Sequence, residues 1–231
     1  EDGKLAGYFD LLDISYNSSD VLTSALTFNK NWCNRFLSTY GIQVPKSVVL
    51  YKGEDNSMLY SEITYPCFVK PNNGGSSIGT HKVGNISELE TALKDAFKYD
   101  TEVIVEEFIQ GREFSVGIVF NQGQEKVMPL TEIIVDSEFF DYKQKYSDQG
   151  ATETTPANIP SEQALECQEI VRKVFKVLRI NKVARIDFIL NDDTFYLIEV
   201  NTIPGMSSKS ILPQQADYLG IDFRDLITTL A

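Results

Sequence analysis

Residues 101–135 read as three strands in succession and residues 182–200 as two more, with no helical period inside either run. Adjacent strands joined by tight turns pair antiparallel, whereas a doubly wound parallel sheet needs a helix between each pair of strands. The chain is therefore expected to be α+β, with mostly antiparallel sheets. The individual segments of the two runs are 101–108, 112–120 and 126–135, then 182–190 and 194–200. The turns are Asn121-Gln122-Gly123-Gln124 and Asn191-Asp192-Asp193. Shorter strands are expected at 44–51 and 65–70, where β-branched and aromatic residues run between Gly and Pro borders.

Helices fill the remainder. Val21, Leu22, Ala25, Leu26, Phe28, Trp32, Phe36 and Leu37 recur at helical spacing, with Gly41 and Pro45 as the stop, which predicts one or two helices over 20–40. Ser87-x-x-Glu90 reads as a capping box opening a helix over 87–99. An apolar stripe predicts a long helix over 161–180, and short helices are expected at 212–219 and 223–230. The expected division is a smaller α+β unit over 28–108 and a larger one over 109–231. Residues 1–27 precede them as the tail of a further domain. Residues 136–160 show no period and exceed the ordinary connection of about 12–15 residues, as a functional loop or lid would.

With 21 Lys and Arg against 33 Asp and Glu, the net charge of -12 disfavours nucleic-acid binding through a global cationic field. An anionic ligand would need local positive groups or a metal. Cys33, Cys67 and Cys167 are odd in number and lack C-x-x-C spacing, so neither a disulfide framework nor a structural zinc site is indicated, and a reducing cytoplasm fits. No apolar run reaches the ~18 residues of a membrane span, so no membrane partner is expected. The first residues, Glu1-Asp2-Gly3, contain no methionine, and 4–17 reads as a short amphipathic piece with no strand before it, which points to a missing upstream portion.

Chemistry concentrates in the last strand pair. Side chains alternate along a strand, so Arg185 and Asp187 share one face, and Glu199 and Asn201 share a face of the partner. A connecting loop with an odd number of residues would set Asp187 opposite Glu199 and Arg185 opposite Asn201. Two carboxylates and a carboxamide make a hard oxygen site suited to Mg²⁺. The competing reading is a cross-strand ion pair on a solvated face. Elsewhere, Lys70 ends a strand just before Pro71-Asn72-Asn73-Gly74-Gly75-Ser76-Ser77-Ile78-Gly79, where loop N–H groups and hydroxyls could cover phosphates. That loop is neither a P-loop nor a Rossmann fingerprint, and H-R-D and D-F-G are both absent. Glu106, Glu107 and Glu113 lie near a strand exit, where carboxylates can accept ribose hydroxyls or simply be exposed. Tyr142, Lys145 and Tyr146 stand in the long loop, and His81, the only histidine, is read as exposed on a strand.

Taken in order, Val69-Lys70-Pro71, Gly75-Ser76-Ser77-Ile78-Gly79, Val105-Glu106-Glu107-Phe108, Gly111-Arg112-Glu113-Phe114, Asp141-Tyr142-x-x-Lys145-Tyr146, Arg185-Ile186-Asp187 and Glu199-Val200-Asn201-Thr202-x-Pro204-Gly205-Met206 resemble the D-alanine–D-alanine ligases of the ATP-grasp superfamily. The resemblance implies an ATP-grasp fold and ATP-driven ligation of two D-alanines for peptidoglycan, in the cytoplasm. It implies Lys30, Lys70 and Ser77 on the ATP phosphates, Glu106 near the adenine, Glu107 and Ile109 as backbone adenine contacts, and Glu113 on the ribose. Asp187, Glu199 and Asn201 match ligands of two Mg²⁺ ions, for which Mn²⁺ could stand in. Arg185 and the Gly205 N–H resemble groups stabilising a tetrahedral intermediate, and Lys145 a phosphate-contacting lid residue. Ser210 and Ile211 match positions holding the second D-alanine carboxylate, and Tyr142 is a further substrate contact. Tyr146 and Ser76 resemble two members of a lid-tying triad whose third member, a glutamate, is not in this chain.

The family has an N-terminal domain ahead of Glu1 and commonly forms homodimers, so this chain alone is expected to bind Mg-ATP weakly and not to turn over. The alternatives are an ATP-grasp carboxylate–amine ligase with another second substrate, against which Tyr146 argues, and a non-catalytic nucleotide-binding module.

Overall fold

The computed structural model describes residues 1–121, 123–134 and 152–230. Helices α1 (Lys4–Leu11), α2 (Val21–Phe28) and α3 (Lys30–Ser38) come first, followed by β1 (Ser47–Tyr51), a 3-10 turn at Ser57–Glu62, β2 (Cys67–Pro71), β3 (His81–Val83) and α4 (Ile86–Ala96). Then come β4 (Glu102–Glu107), β5 (Arg112–Asn121), β6 (Gln124–Val127), β7 (Thr131–Ile134) and β8 (Thr152–Thr154). Helix α5 (Ser161–Val177), the hairpin β9 (Val183–Asn191) and β10 (Thr194–Asn201), and helices α6 (Ile211–Tyr218) and α7 (Phe223–Leu230) complete the chain.

Two sheets result, and every strand pair in them is antiparallel, as the consecutive strands imply. The four-stranded sheet has the order β1-β4-β2-β3. The larger has the order β10-β9-β5-β7-β8, with β6 also paired to β5. Each sheet has its own core. Leu50, Val69, Val103 and Val105 of the smaller sheet bury against Leu89, Leu93 and Ala96 of α4. Phe114, Val116, Ile186, Phe188 and Leu197 of the larger sheet bury against Cys167, Val171, Val174 and Phe175 of α5. Burying each such aliphatic or aromatic side chain stabilises by roughly 1.5–3 kcal/mol, so these two faces dominate the packing. Cys33 and Leu37 of α3, together with Ile42, belong to the larger core although they precede the smaller sheet in sequence. The expected boundary at residue 28 groups α3 with the smaller unit; its buried face packs with the larger one.

Four local expectations are corrected. Helix α4 is capped by Asn85, whose side chain accepts from Ser87 N at 3.1 Å, while Glu88 reaches back to Gly84 N at 2.8 Å. The box therefore sits two residues earlier than Ser87-x-x-Glu90, and the helix ends at Ala96. The single strand expected over 126–135 is broken because Pro129 has no N–H for a ladder; instead Met128 N donates to Gly117 O at 2.8 Å. Helix α5 stops at Val177 rather than residue 180. Arg179 turns left-handed at φ +52°, and Ile180 N closes on Phe175 O at 3.0 Å, a Schellman-type end made without glycine. Finally, His81 is half-buried on β3, with Nε2 2.8 Å from Asp95 of α4.

Candidate functional site

The smaller and larger sheets face each other across a cleft of about 640 Å³. Lys30, Lys70, Ser77, Glu106, Glu107, Ile109 and Glu113 line it, together with Asp187 and Glu199 from the β9–β10 hairpin. Asn201 lies in a small recess beside it, shared with Lys30, Gly74 and Glu199.

The hairpin explains how acidic groups come to face lysines. Its connection is the two-residue turn Asp192-Asp193, with Asp192 at φ +50°, and Thr194 pairs with Asn191. An odd loop is thus not what aligns the strands. The register shifts by one residue between Leu197 and Glu199, and this bulge sets Glu199 opposite Asp187 and Asn201 opposite Arg185. The cross-strand pairs are the expected ones, reached by another device. Ile198 is the extra residue, and it lines the cleft.

Asp187 is held by donors from three residues. Its carboxylate takes Arg185 Nε at 3.0 Å and Nη2 at 2.9 Å, Ser115 Oγ at 2.6 Å and Asn201 Nδ2 at 3.2 Å. Asp187 beside it holds the Arg185 guanidinium well above its ordinary pKa, and Glu199 adds in the same direction. The ion pair that competed with the metal reading is therefore present, within one strand rather than across two, and partly buried rather than on a solvated face, with Asp187 lining the cleft. Among the described residues no cluster gathers three or more His, Cys, Asp or Glu side chains; the oxygen donors here are two carboxylates and an amide.

Across the cleft, Lys70 Nζ sits 2.5 Å from Glu106 Oε2, both nearly out of solvent, and Asn34 Nδ2 donates to the same carboxylate at 3.2 Å. Lys30 Nζ donates to Gly74 O at 2.5 Å, and burial pushes its pKa down while Glu199 pulls it up. Ser76 and Ser77 both adopt φ +56° at the tip of the Gly-rich loop, a conformation side chains rarely hold without a local reason. Glu107 accepts Lys46 N at 2.8 Å through Oε1. Lys82 lies 3.9 Å from the centre of the Phe108 ring, with Phe68 5.8 Å away, making an aromatic wall at that end.

Gly205, Ser210 and Ile211 follow β10 and are not among the residues that line the cleft. Ser210 precedes α6, and its Oγ accepts Ser207 N at 3.1 Å and meets Ser207 Oγ at 2.9 Å. A Cβ on Gly205 would come within 2.8 Å of that oxygen. Tyr142, Lys145 and Tyr146 lie outside the described residues. Ser115 and Asn34, which hold Asp187 and Glu106, escaped the sequence reading. The first could have been found once β5 was paired with β9, since Ser115 lies directly opposite Asp187.

Two antiparallel sheets gripping a cleft lined by Lys30, Lys70 and the Asp187 and Glu199 carboxylates of the β9–β10 hairpin make this an ATP-grasp fold. The sequence model described as D-ala D-ala ligase C-terminus matches residues 36–231. The chain belongs to the D-alanine–D-alanine ligase family. The D-alanine–D-alanine ligase of Flavobacterium johnsoniae is 41% identical over 230 residues, covering 99% of this chain and 71% of that relative. That of Phocaeicola vulgatus is 40% identical over 233 residues, with 100% and 72% covered. Among solved structures, the VanG D-Ala:D-Ser ligase from Enterococcus faecalis superposes with a TM-score of 0.91 at 35% identity, covering 100% of this chain and 68% of that one. The D-alanine–D-alanine ligase from Bacillus anthracis complexed with ATP gives 0.85 at 33%, with 100% and 74% covered. No helix among the described residues is long and apolar enough to cross a membrane.

Proposed function

We propose that the cleft carries out ATP-dependent joining of two D-alanine molecules into D-alanyl-D-alanine for peptidoglycan synthesis in the cytoplasm. A carboxylate oxygen of the first D-alanine takes the γ-phosphoryl group, the bond from phosphorus to the ADP oxygen breaks, and the carboxyl carbon becomes attackable. The amine of the second D-alanine then adds to that carbon, loses a proton, and phosphate leaves. Lys30 and Lys70 hold the phosphates, with Ser77 and the loop N–H groups closing over them. Main-chain groups of Glu107 and Ile109 meet the adenine edge, Glu106 lies nearby, and Glu113 accepts the ribose hydroxyls.

Arg185 and the Gly205 N–H stabilise the oxygen charge of the tetrahedral intermediate, where preorganised donors act most strongly. Ser210 donates its hydroxyl to the second carboxylate, beside Ile211. Tyr142, Lys145, Tyr146 and Ser76 complete the enclosure that keeps water from the acyl phosphate. Asp187, Glu199 and Asn201 form a donor set made wholly of hard oxygens, which fits Mg²⁺ or Mn²⁺ and would hold two such ions. When bound, those ions neutralise charge on the phosphate oxygens. The full-length protein is read as a homodimer.

What supports this reading most is the bulged register of β9 and β10, which aims Asp187 and Glu199 into the cleft that Lys30 and Lys70 also line. The test is phosphate release by the full-length protein with ATP and a panel of D-amino and D-hydroxy acids. Release that depends on D-alanine, with dipeptide formed, is expected; no release with any member of the panel sinks the reading. The 0.91 superposition on a D-Ala:D-Ser ligase favours D-serine as the one competing second substrate, and the same panel decides between them.

A further inference from the structure

The first turn of a helix leaves N–H groups without intrahelical partners. In α3, Asn29 Oδ1 accepts one of them from Trp32 N at 3.0 Å. Two others are taken by the residue that directly follows β2 of the smaller sheet. Asn72 O accepts Lys30 N at 3.1 Å, and Asn72 Oδ1 accepts Asn31 N at 2.9 Å. The same side chain donates through Nδ2 to Glu102 Oε2 at 2.6 Å, while Asn72 N donates to Glu102 O at 2.9 Å. Asn72 has no exposed surface.

These bonds join parts that belong to different cores. α3 buries Cys33 and Leu37 in the larger core, whereas the strands flanking Asn72 and Glu102 belong to the smaller sheet. Lys70 lies two residues before Asn72 in the chain, and Lys30 opens α3. Lys30 is held to the same loop at both ends, by its N–H on Asn72 O and by its Nζ on Gly74 O at 2.5 Å. A change at Asn72 therefore moves one phosphate-facing lysine relative to the other without touching the cleft.

We propose that Asn72 is a positioning residue that fixes the separation of the Lys30 and Lys70 ammonium groups within the cleft, and with it the preference for a triphosphate over a monophosphate. This rests on the reading of the cleft as a nucleotide site. A group acting only on stability would weaken ATP and AMP together, since both share the adenine end. A group acting through the two lysines changes their ratio.

The test titrates the full-length protein calorimetrically with ATP and with AMP in magnesium chloride. Asn72→Ala should lower the ATP-to-AMP affinity ratio about ten-fold while AMP affinity stays within about two-fold. Asn72→Asp alone sets two carboxylates in contact and should lower the ratio as well. Combined with Glu102→Gln, it exchanges donor and acceptor across the 2.6 Å bond and should restore the ratio. If Asn72→Ala does not fold, the comparison of Asn72→Asp with the double substitution decides alone. An unsubstituted chain that prefers ATP, with a ratio none of these changes moves or a double substitution that restores nothing, overturns this inference and leaves the cleft reading standing. An unsubstituted full-length protein that binds neither nucleotide overturns both.

Discussion

At Gly205 the decisive fact is room. A methyl group there would stand 2.8 Å from Ser210 Oγ, and that hydroxyl is already oriented by Ser207 N and Ser207 Oγ. Gly205→Ala must push the hydroxyl aside, away from where the second carboxylate is proposed to lie. A hydrogen bond to a charged group contributes about 1.5–3 kcal/mol, so the KM for the second D-alanine should rise about ten-fold or more, with ATP affinity held within about two-fold. Steady-state phosphate release by the full-length protein, varied in D-alanine and then in ATP, separates the two. Equal KM values before and after substitution would remove Ser210 from the substrate site. The Lys70–Glu106 contact follows a different logic. Both groups are nearly out of water at 2.5 Å, so each depends on the other, and the proposed phosphate at Lys70 would meet an ammonium already held in place.

Elements end and bend where side chains make them. The start of α4 is set by Asn85 and Glu88, so Asn85→Ala should cost about 1 kcal/mol, lowering the melting temperature by about 2–4 °C. Ser87→Ala removes no helix-end bond except its hydroxyl contact to Asn85, and should cost less. Urea unfolding of both variants checks the order, and a larger loss at Ser87 would restore the box read from sequence. That box was displaced because Asn85, Ser87, Glu88 and Glu90 supply two overlapping sets of cap residues, and only packing of Leu89 and Leu93 chooses between them. The β9–β10 hairpin was legible for a firmer reason. Alternation forces Arg185 and Asp187 to one face whatever the turn, and the apolar Phe188, Leu190, Phe195 and Leu197 fix which face is buried. The bulge at Ile198 was not legible, since an apolar residue next to Glu199 looks the same whether it is paired or extra.

For the whole molecule, the sequence indicated two sheets with helices on them but not which core α3 would join. Its stripe of Trp32, Phe36 and Leu37 says that one face is buried and says nothing of the partner; Leu37 and the unread Cys33 join the larger core while Trp32 stays exposed, and Asn72 ties the first turn back to the smaller sheet. Both cores also contain thiols. Burial pushes Cys33 up to about 12 and Cys67 up to about 11 from the ordinary value of 9.0, and pushes Cys167 upward as well. All three are free and buried. An acid whose native pKa is raised keeps its proton after the unfolded chain has lost its own. Above pH 9 the unfolded state therefore binds fewer protons, and stability falls as pH rises toward 11, by at most about 1.4 kcal/mol per pH unit for each thiol. Lys30 works the other way: burial lowers its pKa, so the native chain sheds that proton first and gains stability over the same range. The net curve mixes both signs, and a single-thiol variant isolates one. Cys67→Ala should lower stability by a constant amount below pH 8 and make the decline between pH 9 and about 11 shallower by one thiol's share. Urea midpoints taken every half unit of pH measure it. Parallel curves for the two proteins would mean that the Cys67 thiol titrates in the folded chain as it does in the unfolded one.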